Sequence, residues 1–144
     1  MKVFTIGFTK KNAEQFFSRL KQPGLVRLVD ARLNNVSQLA GFTKKDDLRF
    51  FLRQIINIDY LHLPDLAPSQ DILDDYKKNG GDWATYERKF LALMEKRRVE
   101  DKVSKDIING GCLLCSEPTP EHCHRRLVAE YLKSRWGDLE IVHL

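Results

Sequence analysis

Residues Leu113 to Arg126 read LLCSEPTPEHCHRR and gather two cysteines, two histidines, two glutamates and two arginines into fourteen positions. Such a set can ligate a metal, run thiol chemistry, or cradle an anion; it can also be a plain strand followed by a capped helix. The metal reading starts from C-x2-C-x7-C-H, which offers Cys112, Cys115, Cys123 and His124. On a strand, positions three apart send their side chains to opposite faces. The paired cysteines of a zinc knuckle also sit on a tight turn, whereas CLLC is apolar and strand-like. A four-ligand structural site is therefore disfavoured and no residue is assigned to a metal, with the partial set Cys115, Cys123 and His124 left open.

The thiol reading is sharper. Cys115 at a strand end, facing a helix N-terminus with Arg125 and His124 near, has the electropositive surroundings that lower a thiol pKa. Cys123 is then its resolving partner, and Glu117 or His124 the group that transfers protons. Arg32 and Arg125 supply an anion site together with free amides at the helix start. Each assignment has a plain structural counterpart. The thiols can pack as small apolar groups, His124 can bond a nearby loop carbonyl, and the arginines can pair with Asp30, Glu117 or Glu121.

These roles require an architecture that collects strand ends. Val3 to Ile6 is a short apolar run that stops at Gly7, as a buried strand does. Asn12 and Gln15 form a capping box ahead of Ala13, Phe16, Phe17 and Leu20, which share one helical face. Leu25 to Asp30 reads as a second strand. Thr43 with Asp46 makes a further cap signature before Leu48, Phe51, Leu52 and Ile55. Asp59 to Pro64 is the third strand, a short helix begins at Ser69, and Asp82 caps a longer one carrying Trp83, Tyr86, Phe90, Leu93 and Met94. Those aromatics read as core more readily than as a ligand box. KRRVEDKVSKD reads as a polar stretch, CLLCSE as strand four, Thr119-Pro120 as N-cap and N1 of the last helix, and LEIVHL as strand five.

Strands alternating with helices predict a single-domain α/β fold: an open, mostly parallel five-stranded sheet with helices on both faces. At 144 residues the chain is large enough to bury a core without disulfides. In such sheets ligands bind beyond the carboxyl ends of the strands. Thr5, Gly7, Thr9, Asp30, Arg32, His62, Cys115 and Glu117 all fall at those ends, and the last helix adds Cys123, His124 and Arg125.

Composition narrows the setting. The net charge of +4 is unevenly spread, with 11 basic and 5 acidic side chains in residues 1–60 against 13 and 15 in residues 61–144. A basic half suits phosphates or nucleic acid, and equally a set of solvated helix faces. Three cysteines, no secretory signal and no run of membrane-spanning length predict a cytoplasmic protein with reduced thiols and no membrane partner.

The motifs resemble those of the domain-of-unknown-function 488 family (DUF 488). Its pattern of TIGxS/T, DVR, a serine shortly afterward, YxHLP and LCxE-x5-CHR is met here by TIGFT at Thr5 to Thr9, DAR at Asp30 to Arg32, Ser37, YLHLP at Tyr60 to Pro64, and LCSEPTPEHCHR at Leu114 to Arg125. The resemblance implies an α/β fold and a motif edge that includes Ser37, and it leaves the cofactor unknown. Where many members continue with LG after HLP, this chain has DLAPSQDI, which keeps the substrate open. The preferred expectation is an enzyme acting on a phosphate-bearing substrate, nucleotide or nucleic acid. Cys115, Glu117 and His124 would be catalytic, and Thr5, Gly7, Thr9, Asp30, Arg32, Ser37, His62, Cys123 and Arg125 would bind substrate. The alternative is a non-catalytic module binding nucleotide or nucleic acid, and a scaffold in which these polar groups satisfy one another is the third.

Overall fold

In Lys2–Gly7 (β1), the buried residues Val3, Phe4 and Ile6 fall on both sides of the strand, the pattern of a strand covered on both faces. Ala13–Arg19 (α1) opens with the expected capping box, Asn12 accepting from the Gln15 amide and the Gln15 side chain accepting from the Asn12 amide. Arg27–Asp30 (β2) and Lys45–Phe51 (α2) follow, the helix running on into a π-turn at Leu52–Ile56. Asp59–His62 (β3) leads to Gln70–Lys77 (α3), begun by Ser69, and Trp83–Arg97 (α4), begun by Asp82. Val99–Lys102 (α5), Lys105–Ile108 (α6), Gly111–Cys115 (β4), His124–Trp136 (α7) and Glu140–His143 (β5) complete the chain. This computed structural model describes residues 1–36 and 41–144, so Ser37 lies outside the described residues.

The five strands are parallel throughout, in the order β3-β2-β4-β1-β5. Strand β4 sits at the centre, with Cys115 level with Gly7 of β1 and Leu114 level with Asp30 of β2. The chain winds outward through α1 and α2 on one face and returns through α3 to α7 on the other, as right-handed crossovers in opposite directions require. Two cores result. Phe4, Ile6, Phe16, Phe17, Leu20, Leu28, Leu48, Leu52 and Cys112 fill the first; Val29, Phe90, Met94, Leu113, Val128 and Leu132 fill the second. Connections leave β4 and its two neighbours on opposite faces, so a crevice opens at the carboxyl end of β4.

Four local expectations change. Strand two begins at Arg27, two residues later than Leu25. Thr43 ends a 3₁₀ turn and Lys44 takes the N-cap without a side-chain bond, because the buried Thr43 carbonyl accepts the Arg32 guanidinium. The polar stretch KRRVEDKVSKD holds two single-turn helices, too short for periodicity to reveal. The last helix starts at His124 with Cys123 as N-cap, four residues beyond Thr119-Pro120. The residues before it form a loop whose carbonyls are held by guanidinium groups: Arg125 donates to Glu117 O, and Arg126 to Pro120 O and Glu121 O. That loop carries Glu117 and Cys123 to the crevice.

Candidate functional site

Parity along β4 sends Cys112 into the core beneath α1 and α2, and Leu113 and Cys115 toward α4 and α7. Cys115 is the last residue of β4, and its sulfur forms a disulfide with Cys123 at the start of α7. A ring nitrogen of His124 lies within 4.8 Å of the sulfurs. His124 lies against Phe90 with the rings tilted at 53°, and its Nε2 donates to the Ala31 carbonyl at 2.7 Å. Burial pulls its pKa down to about 4, with the Ala31 bond opposing and Arg125 reinforcing the shift. The ring is therefore neutral near pH 7, and the proton on Nε2 leaves Nδ1 with the lone pair.

Arg125 lies behind this cluster, 1% exposed. Its Nη1 donates to Glu117 O at 2.7 Å and to the Cys115 sulfur at 3.4 Å, and its Nε donates to Thr5 Oγ1 at 3.3 Å. Thr5 in turn meets His143 Nδ1 at 2.6 Å. Burial lowers the Arg125 pKa to about 10, which leaves it a cation. Gly7 is required by the same arrangement, because a Cβ there would overlap the Glu117 carbonyl oxygen and crowd Arg125. Thr9, exposed at the end of this turn, donates its amide to Ser116 O at 3.0 Å and fastens the loop from the other side.

Arg32 enters from β2. It is 3% exposed and forks onto Asp30 through Nε and Nη2, both at 2.8 Å, while Nη2 also reaches Thr43 O at 2.7 Å. Asp30 is fully buried and also accepts from the Tyr60 hydroxyl and the Arg32 amide. Burial and that carboxylate raise the Tyr60 pKa, so the phenol remains protonated. Nη1 of Arg32 is buried and has no hydrogen-bond partner among the described residues. His62 donates Nε2 to the Arg32 carbonyl at 2.9 Å, one residue from the carbonyl that His124 holds.

These groups surround a cleft of about 190 Å³. Of the residues expected at the site, Arg32, Cys115, Glu117, Cys123 and His124 line it. Thr5, Gly7 and Arg125 form its backing, and Asp30 and His62 hold Arg32. The opposite wall comes from Tyr76, Lys77, Trp83, Tyr86 and His122, none of which the sequence reading assigned to the site. Trp83 stacks on Tyr86 at 4.9 Å and on His122 at 5.0 Å. Lys77 Nζ pairs with Glu117 Oε1 at 3.1 Å across the rim. The signal available in the sequence was the density of aromatics on either side of Asn79-Gly80-Gly81. Tyr86, Phe90 and Met94 do fill the core, and Trp83, partly buried against that core, lines the cleft as well.

A family model described as a domain of unknown function, DUF488, matches residues 12–132 of the 144. The chain belongs to that family. Among curated proteins and among solved structures, none matches it. The DUF488 match covers β2, β3, β4 and most of α7, and with them Arg32, the cysteine pair and His124. Among the described residues, no helix is long and apolar enough to cross a membrane.

Proposed function

We propose that this DUF488 protein is an enzyme acting on a phosphate-bearing substrate, a nucleotide or nucleic acid, in the cleft at the carboxyl end of β4. One observation carries the reading: the Cys115–Cys123 sulfur pair borders the same cleft as Arg32, whose buried Nη1 has no partner among the described residues. A buried, unpaired N–H costs about 1–3 kcal/mol, and an anionic ligand would recover it. Tyr76, Trp83 and His122 give the cleft an aromatic wall against which a base can pack. The cleft is small, so it takes one moiety of the substrate and leaves the rest outside.

The chemistry requires the reduced pair, which a cytoplasmic location would supply. Cys115, given an N–H by Arg125, is the nucleophile. Its thiolate adds to the electrophilic centre, the leaving group departs with the bonding pair, and Glu117 or Nδ1 of His124 carries the proton from thiol to leaving group. Where a peroxide takes Cys115 to the sulfenic acid, the Cys123 thiolate attacks that sulfur, water leaves, and the disulfide forms. Arg125 is a positioning residue, since its bonds go to Thr5, Cys115 and Glu117.

The rival, a binding module, draws support from His62 and His124, which spend their Nε2 protons on backbone carbonyls. Site-resolved alkylation of the reduced protein separates the two. Cys115 is expected to react at least tenfold faster than Cys112 at pH 7, and a nucleoside monophosphate to slow that reaction. Burial drives the Cys112 thiol pKa far up, which makes it an internal reference. Equal, slow labelling of both would overturn the enzyme reading, and nucleotide binding with an inert Cys115 would establish the module.

A further inference from the structure

We infer that Cys115, Cys123 and His124, once the disulfide is reduced, form a three-ligand site for a thiophilic divalent cation, zinc above all, with the fourth position open to the cleft. Three observations converge on it. The two sulfurs and a His124 nitrogen already lie within 4.8 Å of one another. Two thiolates on a tetrahedral zinc ion stand about 3.8 Å apart and the imidazole nitrogen at a similar distance. The set needs only small adjustments to reach that geometry.

The surroundings are those of a ligand set. A metal-bound histidine characteristically donates its other ring N–H to a carbonyl or carboxylate. His124 donates Nε2–H to Ala31 O, which fixes the tautomer that offers Nδ1. Arg125 Nη1 donates to the Cys115 sulfur, a bond that favours thiolate over thiol.

The exchange between the two states balances. A dithiol reductant supplies two electrons and two protons, becoming a disulfide as Cys115 and Cys123 become thiols; the cation then displaces both thiol protons. In the loaded form Cys115 is a ligand rather than a nucleophile, so disulfide, free dithiol and metal complex exclude one another. The inference is independent of the phosphate-substrate reading, which alkylation and nucleotide protection test on metal-free protein. A zinc ion with an open position would carry its own water into the cleft, 3 side chains holding it and Glu117 on the same wall.

The test is anaerobic titration of the reduced full chain with Co²⁺, followed by zinc competition. Wild type should bind one equivalent, with a thiolate-to-cobalt charge-transfer band and the intense visible bands of tetrahedral coordination, and zinc should abolish both. Cys112→Ser should behave as wild type, while Cys115→Ser, Cys123→Ser and His124→Gln should each weaken binding by at least tenfold. The diamide-oxidised wild type, which keeps every residue, should give no band, so the result does not hinge on any variant folding. Absence of the bands in reduced wild type, or bands that survive oxidation or Cys123→Ser, would overturn the inference.

Discussion

Gly7 and Glu117 meet backbone to backbone: the Gly7 Cα lies so near the Glu117 carbonyl that a Cβ would overlap it. That carbonyl also receives Arg125 Nη1. Gly7→Ala should therefore displace the loop after β4 and loosen Arg125 together. A loss of about 2 kcal/mol or more is expected by urea denaturation, with the difference in alkylation rate between Cys115 and Cys112 reduced in the surviving fold. An unchanged midpoint and unchanged rates would show that the loop can retreat without consequence.

The Asp30–Arg32 pair is almost wholly out of solvent, which makes its halves interdependent. Asp30→Ala leaves a buried guanidinium without its partner and should cost about 3–5 kcal/mol. The double variant Asp30→Ala with Arg32→Met should cost less than the single one, a coupling that a double-mutant cycle in denaturant measures. Additive losses would mean that the two side chains stabilise the fold separately.

Ligand recognition should divide between the two walls. Trp83→Ala is expected to weaken a nucleoside monophosphate at least tenfold, in line with about 1–3 kcal/mol per stacked base, while leaving inorganic phosphate unaffected. Arg32→Lys, which keeps the charge but loses the fork, should weaken both ligands. Isothermal titration of the two ligands against both variants decides it, and a Trp83→Ala protein that loses phosphate equally would place the anion elsewhere.

His124 gives the metal-free, oxidised protein a pH dependence of definite sign. Its folded pKa, about 4, lies below the ordinary histidine value of 6.5. Below pH 6.5 the unfolded chain takes up a proton that the folded one refuses, so the contribution is complete above pH 6.5 and is lost between pH 6.5 and 4. The loss should be at most about 3 kcal/mol. Denaturation midpoints of wild type and His124→Gln across this range should converge as the pH falls; parallel curves would assign the acid sensitivity to other groups.

The fold was legible because its signals are local. Alternating strand and helix patterns, the Asn12–Gln15 box and the starts at Ser69 and Asp82 each concern residues within a few positions of one another. The floor of the cleft was legible for a related reason, since strand ends and parity place Arg32, Cys115 and Glu117 without knowledge of distant contacts. The aromatic wall was not. Trp83 reads as part of a core stripe because its helical phase matches Tyr86 and Phe90, and it does pack against that core; only the placement of α3 and His122 beside it shows that it borders the cleft too. The start of α7 failed similarly: Thr119-Pro120 has the right local chemistry, but Arg125 and Arg126 hold the intervening carbonyls and keep that segment a loop.

The central position of β4 also sets a timetable. Its neighbours, β1 and β2, begin more than 80 residues earlier in the chain, and until it arrives they have no shared partner. During synthesis at about 5–20 residues per second, the first three strands wait for seconds as an incomplete sheet with a slot in its middle. Insertion of β4 closes that slot in contacts of long sequence separation, the slow kind. Cys115 is the last residue through the slot and Cys123 follows eight positions later, so the cleft and its sulfur pair come into being only when the sheet is whole. Thiol pairing of Cys115 with Cys123 in a refolding chain should therefore mark completion of the sheet.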